Sequence, residues 1–333
     1  MRSWMTTALA VVWFASAAAA SADPPSYHVI DRIPGPDGGW DYVRVDPVYN
    51  RVLVTRGDSV MAVDLASRQV TAGLAPGARE HLALPINGGT ELLVTNGGTD
   101  RAVFVDALTS VQIASTPTGK GPDDAVFDTR SGLLLVIDHA GGDVTLIDAK
   151  THLRAGVITV GGDLEEAVVD GKGHAFINVE NKNEIAVVDI AARTVTGRYA
   201  LTGCDGPTGL AYDAGDRLLI AACDGATDLV DARTGKVVQT LATGKGADGV
   251  AYDARRRLAF VPAGRDGTLT VIALEHGRGR ILDVVPTARS ARTIGIDDRT
   301  GRLYLPSADY VFPAGGGRPT TVAGSFRLLV VGR

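Results

Sequence analysis

Polar residues recur at one position of a repeat that runs through the whole sequence, five residues before a repeated anchor residue. The anchor is an aspartate in six repeats and an isoleucine in one: Asp46, Ile86, Asp128, Asp170, Asp213, Asp253 and Asp297. The residues five positions before these anchors are Asp41, His81, Asp123, Glu165, Thr208, Asp248 and Arg292. These residues are the candidate ligand-binding set of the protein.

The carboxylates, imidazole and guanidinium of this set allow three kinds of chemistry. In the first, the charged side chains pair with one another and simply line a hydrated polar channel. The four carboxylates Asp41, Asp123, Glu165 and Asp248 would suit a hard cation such as calcium or magnesium, which prefers oxygen ligands. Hydrolysis of a lactone or ester would instead use His81 or Glu165 as general base, with Arg292 stabilising an oxyanion. No motif decides among the three.

The elements that must position these residues are predicted by the repeat itself. Anchors lie on average about 42 residues apart, a period typical of propeller blades. Each anchor ends a short apolar run, a second run such as RVLVT, ELLVT or RLYLP follows, and third runs end at Asp64, Asp106, Asp148, Asp189 and Asp231. Four such runs separated by turns indicate four antiparallel strands. The sequence therefore predicts an all-β, seven-bladed β-propeller of four-stranded antiparallel blades, with the candidate set at the mouth of its central channel.

The last blade is one strand short when the chain is divided in this way. After Arg302–Pro306 only the run Phe326–Val331 remains, whereas the run Tyr27–Ile33 precedes blade 1 and belongs to no complete blade. We expect this N-terminal run to be the outer strand of blade 7, which closes the ring and removes exposed sheet edges. The recurrent aspartates at strand ends precede Ser, Thr or Gly and suit hydrogen bonds to turn amides rather than catalysis.

The N-terminus carries the pattern of a secretory signal peptide. Arg2 precedes an apolar stretch from Ala8 to Ala20, and Ala20-Ser21-Ala22 provides small residues for cleavage. We expect residues 1–22 to be removed and residues 23–333 to form one propeller domain, periplasmic or secreted and monomeric. No later run is long and apolar enough for a membrane helix. The formal charge of −5 and the low aromatic content argue against nucleic-acid binding.

The two cysteines, Cys204 and Cys223, lie in neighbouring loops of blades 4 and 5. Because an exported protein with two cysteines in adjacent loops favours oxidation, we predict a disulfide between them.

An irregular insert, Ser307–Ser325, joins the second and third strands of blade 7 and should emerge on the mouth face. It is either a plain flexible loop or a lid that covers a ligand with Tyr310, Phe312 and Arg318.

The motifs LLVTN at Leu92–Asn96, RLYLP at Arg302–Pro306, and the units VTLID, IAVVD and TDLVD resemble the bacterial YVTN-repeat, or YncE-like, β-propellers. The resemblance extends from about Tyr27 to Arg333 and implies an exported seven-bladed ring used for binding or scaffolding, without a shared catalytic set. The sequence departs from the family pattern at Pro85–Gly89 and in the blade 7 insert.

Together these observations favour a propeller that binds a small ligand or an envelope protein at the channel mouth, more than an enzyme. The alternative is a periplasmic lactonase-like hydrolase that uses His81, Glu165 and Arg292, with or without a divalent cation. A structural module of a larger envelope assembly is a third interpretation.

Overall fold

The structure, a computed structural model, describes residues 26–311 and 320–333. The predicted signal peptide, and Phe312 and Arg318 of the insert, lie outside the described residues. The described chain consists of antiparallel β-strands and two single-turn 3-10 helices, Asn87–Gly89 and Glu180–Lys182. Within these residues, no helix reaches the length and apolar character required to span a membrane.

The strands follow the predicted order of seven blades. The chain begins with β1 (His28–Pro34), and blade 1 contains β2 (Val43–Asp46), β3 (Arg51–Thr55), β4 (Gly57–Asp64) and the first part of β5 (Val70–Ile86). Blade 2 contains the rest of β5, β6 (Glu91–Asn96), β7 (Arg101–Asp106) and β8 (Gln112–Pro117). Blade 3 contains β9 (Pro122–Asp128), β10 (Leu133–Asp138), β11 (Asp143–Asp148) and β12 (Arg154–Thr159). Blade 4 contains β13 (Leu164–Val169), β14 (His174–Val179), β15 (Glu184–Asp189) and β16 (Thr194–Ala200).

The remaining three blades continue in the same way. Blade 5 contains β17 (Gly209–Asp213), β18 (Leu218–Ala222), β19 (Ala226–Asp231) and β20 (Val237–Ala242). Blade 6 contains β21 (Ala251–Asp253), β22 (Leu258–Ala263), β23 (Thr268–Glu275) and β24 (Arg278–Pro286). Blade 7 contains β25 (Gly295–Asp297), β26 (Arg302–Ser307), β29 (Arg327–Gly332) and β1, and its insert forms a two-stranded ribbon of β27 (Tyr310–Val311) and β28 (Thr320–Thr321).

Blades 1 and 2 share one continuous strand, a feature that the repeat did not predict. The early part of β5 pairs with β4 of blade 1, and its later part pairs with β6 of blade 2. The two blades therefore form a single seven-stranded sheet. Register shifts between Gly57 and Ser59, and between Glu80 and Ala83, let β5 turn from one blade into the next.

The N-terminal strand completes the last blade, as predicted. β1 pairs antiparallel with β29 from His28 opposite Gly332 to Pro34 opposite Arg327. Since β29 also pairs with β26, it lies inside the sheet, and β1 is the outer strand.

Apolar side chains fill each junction between neighbouring blades. Among the described residues, seven buried clusters each combine residues of two adjacent blades. The cluster between blades 7 and 1 includes Ile33 of β1, Val43 and Val54 of blade 1, and Tyr304 and Leu328 of blade 7. Because the last blade packs on the first in the same way as every other pair, the ring is closed by its hydrophobic core.

The strand-end aspartates form turns, as predicted. The Asp106 carboxylate accepts hydrogen bonds from the amides of Leu108 and Thr109 at 3.1 and 2.7 Å, and Asp148 does the same in blade 3. These carboxylates are structural.

The predicted disulfide is present. Cys204 and Cys223 are bonded across the blade 4–5 loops, with their Cα atoms 5.3 Å apart.

Candidate functional site at the channel mouth

The seven candidate residues lie at the same end of the seven blades, and each is half-buried. Each lies at or just before the start of the innermost strand of its blade. The propeller repeat therefore places one of these residues from every blade around the channel mouth. We call this set the mouth ring: Asp41, His81, Asp123, Glu165, Thr208, Asp248 and Arg292.

His81 lies between two carboxylates of neighbouring blades. Its Nδ1 is 2.6 Å from Asp41 Oδ2 and 2.9 Å from Asp123 Oδ1. Burial alone would lower the pKa of His81, but the hydrogen bonds with Asp123 and Asp41 raise it to about 10. At neutral pH His81 is therefore an imidazolium that bridges blades 1, 2 and 3.

Glu165 pairs with a histidine outside the predicted set, His139. His139 Nδ1 is 3.1 Å from Glu165 Oε1 and 2.9 Å from the carbonyl oxygen of Leu164. The hydrogen bond with Glu165 raises the pKa of His139 to about 9, although burial opposes this rise. A second carboxylate–imidazole pair thus joins blades 3 and 4.

Arg292 and Asp248 form the third pair of the mouth ring. Arg292 Nε donates to Asp248 Oδ2 at 2.6 Å, and its NH2 group donates to the carbonyl oxygen of Trp40 at 2.8 Å. The remaining member, Thr208, donates its hydroxyl to the carbonyl oxygen of Ala247 at 3.0 Å. Arg292 and Thr208 therefore also hold adjacent blades together.

The carboxylates of the mouth ring repel one another across the channel. Burial raises the pKa of Asp41 to about 6; the hydrogen bond with His81 opposes this rise, and Asp123 and Asp248 add to it. Burial likewise raises the pKa of Glu165 to about 8 against the effect of His139, and the same two aspartates add to the rise. Because Asp123 and Asp248 act on both groups, the ring behaves as one electrostatic unit.

Below the mouth ring, Arg44 crosses the channel. It extends from blade 1, and its NH2 group is 3.5 Å from Asp124 Oδ1 of blade 3 and 3.3 Å from Glu166 Oε1 of blade 4. Asp124 Oδ2 and Glu166 Oε2 accept hydrogen bonds from the backbone amides of the next blades, each at 2.9 Å. Burial raises the pKa of Glu166 to about 7, with Arg44 opposing the rise. We call this arrangement the Arg44 bridge.

The opposite end of the channel is apolar. A cavity of about 490 Å³ lies there, with Arg44 in its lining together with Leu84, Phe127, Val168 and Tyr252. The residues just before the anchors are half-buried in every blade: Val45, Pro85, Phe127, Val169, Tyr212, Tyr252 and Ile296. The two ends of the channel therefore differ in chemistry, charged at the mouth and apolar at the other end.

The insert of blade 7 reaches the mouth through Tyr310. The Tyr310 ring stacks on Trp40 with centroids 6.3 Å apart, next to Asp41, and Trp40 also packs on Phe326. Trp40 is buried. This contact fixes the first strand of the insert beside the mouth ring, and the lid prediction beyond Val311 stays a prediction.

The predicted cation ligands are only partly brought together. Asp41, His81 and Asp123 each offer a ligand atom within 4.8 Å of the others, whereas Glu165 and Asp248 are not in this group. The imidazole atom that contacts both carboxylates is Nδ1. To bind a metal through that atom, His81 would have to lose a proton whose pKa is about 10.

Sequence reasoning missed His139 and Arg44. His139 directly follows β10, which pairs antiparallel with β9, so the end of the second strand returns to the mouth. That signal was available in the sequence. Arg44 lies two residues before its anchor, and its contacts with blades 3 and 4 follow only from the closed ring.

Comparison with protein-family models gives no match, and comparison with curated proteins gives none either. Solved structures are similar over most of their length. A chain of the "Crystal Structure of Mitotic Checkpoint Complex" is 13% identical, with a TM-score of 0.75 and 98% of both chains covered. A chain of "Kuenenia stuttgartiensis Hydrazine Synthase" is 15% identical, with a TM-score of 0.68, covering 82% of this chain and 92% of the other. At such identities the likeness concerns the fold alone, and by that fold the protein is a β-propeller.

Proposed function

We propose that the protein is an exported propeller of the YncE-like kind whose mouth ring binds a positively charged ligand, either a small molecule or a cationic segment of an envelope protein. The observation that carries the proposal is the convergence of four half-buried carboxyl groups, Asp41, Asp123, Glu165 and Asp248, on the channel mouth. Burial, with the charges of Asp123 and Asp248, raises the pKa of Asp41 and Glu165, which agrees with this crowding. A cation placed among these groups would relieve the repulsion and lower the pKa of Asp41 and Glu165, so that both become ionised when it binds.

The predicted location rests on the signal-peptide pattern and agrees with the disulfide, since disulfides persist outside the cytoplasm. Partner binding agrees with one similar structure, which is a chain of the mitotic checkpoint complex. The fold likeness does not extend to the ligand or the partner.

The hydrolase alternative is less well supported, because the three residues that it requires are not in the states that catalysis needs. His81, with a pKa of about 10, is protonated at neutral pH and cannot accept a proton as general base. Glu165, with a pKa of about 8, is also mainly protonated there. Arg292 already donates to Asp248 and to the Trp40 carbonyl. We therefore propose binding rather than turnover.

The test is calorimetric titration and thermal melting of the protein lacking residues 1–22 with three probes: calcium, magnesium and trilysine. We expect at least one probe to raise the melting temperature, since a ligand at 100 times its Kd adds about 2.7 kcal/mol to the free energy of unfolding. The response should be lost in Asp123→Asn and Glu165→Gln. The matched control is Glu275→Gln, an exposed carboxylate at the end of β23.

The three probes also distinguish a metal ion from an organic cation as the ligand. Binding of calcium or magnesium but not trilysine would indicate a metal ion, and the reverse would indicate an organic cation. No response to any probe, or an equal response in Asp123→Asn, would contradict the proposal.

A further inference from the structure

A second cavity lies between blades 4 and 5, on the face opposite the mouth ring. Its volume is about 320 Å³, within the range of small-molecule sites. Lys172, Arg217 and Arg233 in its lining belong to turns that join first to second strands or third to fourth strands. In antiparallel blades these turns lie at the end away from the mouth. We call this cavity the blade 4–5 cleft.

Aromatic rings line the inner part of the cleft. Phe176 is buried, and its ring centroid is 6.0 Å from that of Tyr212 and 6.4 Å from that of Tyr199. The Tyr199 hydroxyl donates to the carbonyl oxygen of Ala232 at 3.0 Å. Gly235 has a φ of +71° and packs directly against the Tyr199 ring, where a Cβ would clash. The rings are therefore held in place without a ligand.

Positive charge surrounds the outer part of the cleft. Arg233 pairs with Asp231 at 3.1 Å, but Lys172 and Arg217 have no ion-pair partner among the described residues. Asp170, the acidic residue in the lining, is already bonded to His174 at 3.0 Å and to the Lys172 amide at 2.7 Å. Two cations that form no ion pair among the described residues thus lie beside the rings, in a protein whose formal charge is −5.

We propose that the blade 4–5 cleft binds a planar aromatic molecule that carries a carboxylate or a phosphate. The ligand ring would pack against Phe176, Tyr199 and Tyr212, since aromatic rings favour offset or edge contacts with one another. The anion would accept hydrogen bonds from Arg217, whose fork matches carboxylate and phosphate oxygens, and from Lys172. This site is separate from the mouth ring and does not depend on the function proposed for it.

The test uses four probes with the protein lacking residues 1–22, measured by calorimetry or ligand-observed NMR. 2-Naphthoate and phenyl phosphate carry both ring and charge, 2-naphthamide carries the ring alone, and inorganic phosphate carries the charge alone. We expect 2-naphthoate or phenyl phosphate to bind at least tenfold more tightly than 2-naphthamide and inorganic phosphate. The tighter of the two identifies the charged group.

Variants locate the binding. Arg217→Gln should weaken binding of the aromatic anion about tenfold or more, because a charge-assisted hydrogen bond is lost, and Lys172→Gln should weaken it less. Both side chains are exposed, so folding should be retained, as checked by circular dichroism. Lys150→Gln, at an exposed turn of blade 3, is the matched control and should leave this binding unchanged. Equal affinity for naphthoate and naphthamide, unchanged affinity in Arg217→Gln, or no binding of either aromatic anion would overturn the proposal.

Discussion

His81 shows how the mouth ring combines stability with charge. Its imidazolium contacts Asp41 and Asp123 on the blades at either side, so one side chain links three blades. Glu165 and His139 repeat this arrangement between blades 3 and 4. The same groups that would meet a ligand therefore also contribute to the stability of the ring, and that contribution depends on pH.

The free energy of unfolding should decrease as the pH rises from 7 to 10. The pKa of His81 is about 10 in the folded protein against an ordinary value of 6.5, so its contribution is complete below pH 6.5 and is lost as the pH rises through 10. The pKa of Glu165 is about 8 against 4.5, so its protonated form also favours the folded state, and this contribution is lost on the way through pH 8. Thermal melts at each pH unit provide the measurement.

His81→Gln removes one of these titrations, so its melting temperature should depend less steeply on pH between 8 and 10 than that of the parent. His28→Gln, at an exposed position of β1, is the control and should keep the parental slope. Parallel curves for His81→Gln and the parent would contradict the assignment.

At the scale of elements, β1 is the first strand in the sequence but completes the last blade of the ring. It is the outer strand of blade 7, and Ile33 packs in the cluster between blades 7 and 1. The neighbouring Ile30 is 40% exposed. Two isoleucines three residues apart in one strand thus offer a direct test of ring closure.

Ile33→Ala should lower the free energy of unfolding by about 2–4 kcal/mol, because it opens a cavity in a buried junction. Ile30→Ala should change it by no more than about 0.5 kcal/mol, as expected at an exposed position. Urea unfolding of both variants decides the matter. Similar small losses in the two would mean that β1 is not needed for ring stability.

The strands also show what the sequence can and cannot predict. The anchors located the first strands, and the unpaired run before blade 1 correctly predicted β1 as part of blade 7. Continuity of β5 through two blades was not predicted, because Pro76 and Gly77 in its centre indicate a break. In the structure, register shifts accommodate them within the strand.

At the scale of the molecule, the seven inter-blade clusters leave no described blade with an uncovered face. Opening one junction exposes apolar surface on two blades, so we expect the ring to unfold in a single cooperative step.

Trp40 reports on the junction where the chain closes. It is the single tryptophan left when residues 1–22 are removed, and it packs on Tyr310 and Phe326. Its fluorescence and the far-ultraviolet circular dichroism of the strands should therefore give the same urea midpoint. A fluorescence midpoint at lower urea would show that blades 1 and 7 separate first.

The sequence predicted which residues lie at the channel mouth better than it predicted which of them form ion pairs. Counting five residues back from each anchor found the mouth ring, since the propeller repeat carries every inner strand to the same end. Which charges pair depends on side-chain direction across blades, so the contact of Glu165 with His139 was missed. The blade 4–5 cleft was missed because its rings come from three different strands, β14, β16 and β17.

The Arg44 bridge has a consequence for transport through the ring. Because Arg44 is joined to Asp124 and Glu166 on the far side of the axis, its side chain lies across the centre of the propeller. We expect a solute at the charged end to reach the apolar end only when this ion bridge breaks. The two ends of the channel would then act as separate compartments.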